Sequence, residues 1–311
     1  MGIGSEFQMD IKRIILENYD LYNINKIIPS KLGSSSAFII ETTTDKYIAK
    51  MNERKDFITV YDKVQEKLNK IGMIQSKIVR TNMKQIITGE GIVLYEYIDG
   101  ISYREFNDIQ MKKAIKYVAE YNRVLRTVSF SSNDLKMKNH WDYAKSIDYV
   151  LSKFPNKLKN YSLPTENRES IINAINMLSD NLERLLALRK QLIHTDLGSD
   201  NFILDENDEI ISIIDFTPEY DSEYYSLGHF IYWNYLWRTA DTNFDTIMEV
   251  KNIYEDVIKT RLDDNIFYIL LIRVAIFRIV GPILELIEKR ISYNNSLDKR
   301  FTILTNLLKI Q

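Results

Sequence analysis

The chain has 311 residues, 45% hydrophobic and 27% charged, with a formal net charge of −2; this ordinary globular mixture is long enough for one large domain or two smaller ones. Near-neutral charge without a dominant basic stripe leaves no footprint for a polyanion, so a nucleic-acid partner is not expected. With no Cys and three His (His140, His194 and His229), disulfides and thiolate metal sites are excluded, a multi-His zinc site is disfavoured, and a reducing cytoplasmic setting is expected.

The opening MGIGSEFQ, residues 1–8, reads as a cloning remnant ahead of Met9 and lacks the basic start and long apolar core of a signal peptide. Residues 27–51 predict three strands, IIPSKL, SAFIIET and KYIAKM, separated by GSS and TTTD. Asp56 to Lys70 predicts a helix with Phe57, Val60, Val64 and Leu68 on one face. KQIIT (84–88) and GIVLYEYI (91–98) predict two more strands, and Asp99-Gly100 then breaks the pattern. Beyond it the chain reads as mainly helical, with helices near 108–128, 142–153, 167–188, 222–238, 244–261, 264–290 and 296–309, and one strand–loop–strand island at 190–215. The expected fold class is α+β, with a small sheet lobe over 9–97 and a large helical lobe over 98–311. A cleft between two such lobes is a usual ligand position. The apolar stretch from Asn265 to Ile287 has nearly the length of a membrane span, but Arg273 and Arg278 interrupt it. A charge near a bilayer centre costs roughly 2.5 kcal/mol or more, so a buried helix is expected instead, with no membrane partner.

The island carries the chemistry. It reads His194-Thr195-Asp196-Leu197-Gly198-Ser199-Asp200-Asn201, and Asp215 follows fourteen residues later at the end of IISIID. The pattern is H-x-D-x-x-x-x-N, a strand pair, then an Asp with apolar residues on both sides. Phosphoryl transfer asks for these parts: one carboxylate to accept or orient a hydroxyl proton, and an amide oxygen plus a second carboxylate for Mg²⁺. Two side chains plus phosphates and waters suffice for that hard cation. The alternative is plain turn chemistry at Asp200-Asn201. A calcium loop from Asp205 fails, since its sixth and twelfth positions hold Ile210 and Phe216. Asp205 to Asp208 reads as a hairpin turn, and G-x-S-x-G is absent.

HTDLGSDN followed by IIDF resembles the aminoglycoside phosphotransferase and choline kinase superfamily, small-molecule kinases with a two-lobed protein-kinase-like fold; GSDN and the later Tyr- and Trp-rich helix look nearest to hygromycin-type enzymes. The resemblance implies Asp196 as catalytic base, Asn201 and Asp215 as Mg²⁺ ligands, and ATP or GTP as donor, bound by the N-terminal lobe. Thr195 stands where such loops often carry Gly. Phe216-Thr217 replaces the Phe-Gly of protein kinases.

In the small lobe, Gly33, Ser34, Ser35 and Ser36 could bring backbone N–H groups to phosphate oxygens, though one Gly also fits an ordinary hairpin. Lys50 shares a strand face with Ile48. Glu66 on the following helix resembles the carboxylate partner of a kinase lysine, the alternative being a solvent-facing Glu66 beside Lys63 or Lys70. By the same resemblance Glu96 C=O and Ile98 N–H would bond a purine, and Tyr95 would gate the back of its pocket, which keeps GTP open beside ATP. For the acceptor, the acids Glu219, Asp221 and Glu223 with Trp233 and Trp237 suit a cationic, sugar-like or quaternary-amine small molecule. The alternative is that the acids start a helix and the aromatics are core. The expected function is Mg²⁺-dependent phosphorylation of a hydroxyl on an aminoglycoside-like or other antibiotic. A metabolite kinase acting on choline, homoserine or a sugar, and a catalytically silent kinase-like binding protein, are its rivals.

Overall fold

The computed structural model describes residues 3–30, 37–51, 54–136, 140–159, 161–239, 242–288 and 293–310. In chain order the elements are α1 (Ile3–Asn18), β1 (Lys26–Pro29), β2 (Ala37–Glu41), β3 (Lys46–Lys50), α2 (Lys55–Lys70), β4 (Ile78–Val79), β5 (Val93–Glu96), α3 (Asp108–Leu125), α4 (His140–Lys145), α5 (Ile147–Ser152), α6 (Phe154–Lys159), α7 (Thr165–Asp180) and α8 (Leu182–Leu186). There follow β6 (Gln191–His194), β7 (Phe202–Leu204), β8 (Ile210–Ile213), β9 (Pro218–Asp221), α9 (Glu223–Ile231), a π-helical turn (Tyr232–Leu236), α10 (Trp237–Thr239), α11 (Phe244–Ile258), α12 (Asp264–Ile287) and α13 (Asn295–Leu307).

By internal contacts the chain divides into two units: Met1–Arg104 with Thr127–Phe130 and Asp200–Pro218, and Glu105–Arg126 with Ser131–Ser199 and Glu219–Gln311. Between them they make up the expected α+β class, a small antiparallel sheet and a large helical part. The sheet-bearing unit runs to Arg104 and takes in the β7–β8 hairpin, which the expected boundary at residue 97 had left with the helices.

In the sheet-bearing unit the antiparallel strands run in the order β1-β2-β3-β5-β4. Alternation sends Phe38, Ile40, Ala49 and Leu94 to one face, where they pack with Ile11, Ile14, Ile15 and Tyr19 of α1. The other face carries Ile48, Val93 and Tyr95, packed with Ile58 and Tyr61 of α2. Ala37 pairs with Lys50 and Lys50 with Val93, so Lys50 stands on the α2 face. The helix α1 was not anticipated, and it runs through residues 3–8, which had been set aside. The expected strand at 84–88 is a pair of turns instead. Lys84 takes a left-handed φ of 61°, and Thr81 N–H to Gln85 O and Thr88 N–H to Ile92 O close the backbone locally. The edge strand β4, with Ile78 opposite Tyr95, takes its place.

The hairpin is fixed to this unit by its own ladder. Phe202 pairs with Ile213, and Leu204 and Ile101 exchange both backbone bonds at 2.8 Å. Ser102 Oγ donates to Asp200 O at 2.7 Å. Gly100 allows the close approach, since a Cβ there would overlap Ile203 Cγ2 and lie 2.7 Å from Leu204 O.

The helical unit is built around α12, whose apolar span is buried, and which packs against α4, α7, α8, α9 and α13. Capping by Asp263 Oδ1 starts it, at 3.1 Å from Ile266 N. Near its C-terminal end Gly281 lies beneath the Trp141 indole, and a Cβ would overlap that ring. Trp141 Nε1 donates to Glu285 Oε1 at 3.0 Å. Gly100→Ala and Gly281→Ala should each lower unfolding stability by about 1 to 3 kcal/mol, the usual range for overpacking. Gly89→Ala, where a Cβ meets nothing within 4 Å, should change it little. Urea denaturation of the three variants checks this.

Candidate active site

The β7–β8 hairpin sets two oxygen donors at one end. Asn201 O accepts from Ile214 N at 2.8 Å, so the register brings Asn201 opposite the residue before Asp215. Asn201 is buried, at 9% exposure. Asp215 then leaves the strand with a left-handed φ of 58°, a conformation that costs a non-glycine residue about 1 kcal/mol or more and tends to occur where function requires it. Phe216 supports it by packing into the α2 face, 5.9 Å from the Tyr61 ring centroid. The Asp215 carboxylate is ion-paired with Lys50 Nζ. Lys50 Nζ also lies 5.9 Å from the centroid of Tyr95, and Tyr95 meets Tyr61 edge-on at 5.9 Å. Among the described residues no group of three or more His, Asp or Glu is placed to hold a metal by itself. An amide oxygen and a carboxylate at one hairpin end are nevertheless the hard-oxygen pair that Mg²⁺ accepts when phosphates complete its shell, so the donor set fits that ion.

The preceding loop, 194–199, belongs to the helical unit and is tied down one group after another. Ser226 Oγ donates to His194 O at 2.8 Å, Arg278 to Thr195 O at 3.0 Å, and Asn234 Nδ2 to Leu197 O at 2.6 Å. Arg238 donates to Ser199 Oγ at 2.5 Å. Asp196 N–H donates to His194 Nδ1 at 3.2 Å, which gives the buried His194 the loop-tying role expected of it. The π-helical turn contributes Asn234. Such turns re-aim side chains and are frequent at functional sites. A partly exposed Asp196 is thus carried between the paired Thr195 and Leu197 carbonyls.

A family model described as the phosphotransferase enzyme family matches residues 27–232. This chain belongs to that family. Its enzyme class is phosphotransfer to the hydroxyl of a small molecule. No curated protein sequence matches it. Among solved structures, the microcompartment-associated aminopropanol kinase has a TM-score of 0.71 at 14% identity, covering 96% of this chain and 95% of that one. Choline kinase LicA from Streptococcus pneumoniae has a TM-score of 0.65 at 16% identity, covering 98% and 99%. A thermostable mutant of aminoglycoside phosphotransferase APH(4)-Ia, in complex with AMP-PNP and hygromycin B, has a TM-score of 0.67 at 12% identity, covering 96% and 98%. At these identities the likeness is one of fold.

Several expected roles change in this phosphotransferase. Glu66 does not meet Lys50: it is exposed and bonds Lys70 at 2.6 Å, while Tyr61 and Ile58 occupy the helix face toward the sheet. The Glu96 carbonyl accepts from Ser76 Oγ, and its N–H donates to Lys77 O at 2.8 Å. Ile98 lies beyond the end of β5, half-buried. Gly33, Ser34, Ser35 and Ser36 lie outside the described residues.

The acids read as a cation site are buried and already paired. Glu219 lies 3.6 Å from Lys145, Asp221 lies 2.5 Å from Arg273, and Glu223 pairs with Arg126. Burial pushes the Glu219 carboxyl above its ordinary range, with Lys145 opposing that. The tryptophans already face the chain's own cations: Trp233 has the Arg278 guanidinium at 4.5 Å, and Trp237 has Lys299 at 4.9 Å and Arg300 at 5.4 Å. The three acids are thus buried in ion pairs of the helical unit, and the two half-buried tryptophans carry cations of the same unit. Arg278, Asn234 and Arg238 hold the 194–199 loop and do not stand out from sequence. The signal available was a pair of arginines inside an otherwise apolar helix.

His229 accepts from or faces Arg278 at 2.9 Å through Nδ1, and burial, then the Arg278 charge, holds its pKa well below the ordinary value. The folded chain therefore stays unprotonated at His229 while the unfolded chain takes up a proton below about pH 6.5. Stability should fall on acidification from that point, with a slope approaching about 1.4 kcal/mol per pH unit from this residue. Melting curves from pH 7.5 to 5.5 should show a shallower fall in His229→Gln than in the unsubstituted chain.

Proposed function

We propose that the enzyme transfers the γ-phosphate of ATP to a hydroxyl of a small amine-bearing molecule. The observation that carries this reading is the Lys50–Asp215 pair at the Asn201 end of the hairpin. It joins a strand cation suited to nucleotide phosphates with the hard oxygens suited to a metal. In the proposed reaction Asn201 and Asp215 hold Mg²⁺, which when bound offsets the charge of the transferring phosphoryl group. Lys50 leaves Asp215 for the phosphates, the Ile98 N–H bonds the purine, and Asp196 orients the acceptor hydroxyl and takes its proton. Catalysis on this account is positioning and charge neutralisation. Tyr95 lines the back of the purine position, so ATP and GTP should be compared in one assay. The absence of cysteine fits action in the cytoplasm.

The three related structures named above are kinases of an aminopropanol, a choline and an aminoglycoside, all alcohols bearing an amine, which supports that acceptor class here. Because the acids at 219–223 are paired internally, they are not offered as the acceptor's cation site; the acceptor hydroxyl is placed by its reach to Asp196.

Nucleoside-diphosphate release in Mg²⁺ should appear with one or more of a panel of aminoglycosides, other hydroxylated antibiotics, choline, aminopropanol and homoserine. A response to an antibiotic favours a resistance role, and a response to the small amino alcohols favours metabolism. Asp196→Asn and Asp215→Asn should each reduce turnover by about a hundredfold or more while the melting temperature stays near that of the unsubstituted chain. Full activity in either variant rejects the mechanism.

A further inference from the structure

Arg278 is out of place by its surroundings. It lies within α12 among buried apolar residues, and its hydrogen-bond partners are neutral: the Thr195 carbonyl at 3.0 Å and His229 Nδ1 at 2.9 Å. Aromatic rings cover it, Trp233 at 4.5 Å and Phe277 at 5.0 Å. The other arginine of this helix, Arg273, differs, because it has the Asp221 carboxylate at 2.5 Å. A half-buried guanidinium whose hydrogen-bond partners are neutral costs free energy to keep. Burial pushes the Arg278 pKa down, and the charge that most opposes this is Asp196. Thr195, whose carbonyl Arg278 holds, is itself buried at 2% exposure.

We infer that Arg278 is a positioning residue for phosphotransfer: from α12 it holds the Asp196 loop through the Thr195 carbonyl and sets a fixed positive charge beside it. Its bond to the Thr195 carbonyl holds the peptide that enters Asp196, and its positive charge stands beside the loop that carries that carboxylate. This rests on Asp196 being the carboxylate that orients the acceptor.

The test uses Mg²⁺-dependent ATP hydrolysis, with water as an acceptor that needs no identification. Arg278→Lys keeps the charge, whereas Arg278→Gln keeps amide donors for Thr195 O and His229 without it. The expected result is a kcat about a hundredfold below the unsubstituted enzyme for Gln and within tenfold for Lys, the KM for ATP staying within about twofold in both. Should the Gln variant not fold, Arg278→Met replaces it with the same expectation. A charge-free variant that is folded and as active as the Lys variant, or a kcat loss that comes with an equal rise in KM, overturns the inference. Failure of the underlying reading looks different: the unsubstituted enzyme would show no Mg²⁺-dependent hydrolysis, or Asp196→Asn would match it.

Discussion

The ion pair between Lys50 and Asp215 ties together the parts of the sheet-bearing unit that bear on chemistry. For it to form, β3 must end with a lysine on the α2 face, and the hairpin strand β8 must end where a carboxylate can reach it. The left-handed turn at Asp215 and the anchoring of Phe216 beside Tyr61 satisfy the second condition. Gly100 satisfies a third by letting the strand leaving β5 pass against β7. A half-buried pair such as this contributes modestly to stability. Its value is in placement, because it concentrates a cation and two hard-oxygen donors at one edge of a rigid sheet.

The helical unit solves a different problem. A loop that presents a carboxylate needs its carbonyls paired, or it would be soft and costly to bury. Donors from α9, α12 and the π-helical turn meet that need at the His194, Thr195 and Leu197 carbonyls, and Arg238 of α10 holds the Ser199 hydroxyl. The same helices carry buried charges in matched pairs, among them Asp221 with Arg273 and Glu223 with Arg126. Removing one member of such a pair strands the other, which is why charged residues can form part of a helical core.

Asp196, Asn201 and Asp215 stand out as candidates in the sequence because phosphoryl transfer needs few residue types at fixed spacing, and the hairpin brings Asn201 and the residue before Asp215 opposite one another. Strand alternation likewise put Lys50 on the correct face. Glu66 was misread because a helix's facing residues follow from packing. With Tyr61 toward the sheet, a residue five positions on is turned by about 140° and points to solvent. The acids at 219–223 looked available because their partners, Lys145, Arg273 and Arg126, lie far off in sequence. Residues 84–88 carried strand composition, but a left-handed Lys84 closed them into turns. The spacing of Ile11, Ile14, Ile15 and Tyr19 did signal α1, and it was passed over beside a stretch taken for a remnant.

The central claim is that Asn201 and Asp215 bind a metal together with a nucleotide. Calorimetric titration with AMP-PNP, in Mg²⁺ and in EDTA, tests it without any acceptor. The account predicts binding at least tenfold tighter with Mg²⁺, and loss of that difference in an Asn201→Leu variant that retains its fold. Equal affinity in Mg²⁺ and EDTA, or an undiminished metal effect in the variant, would contradict it.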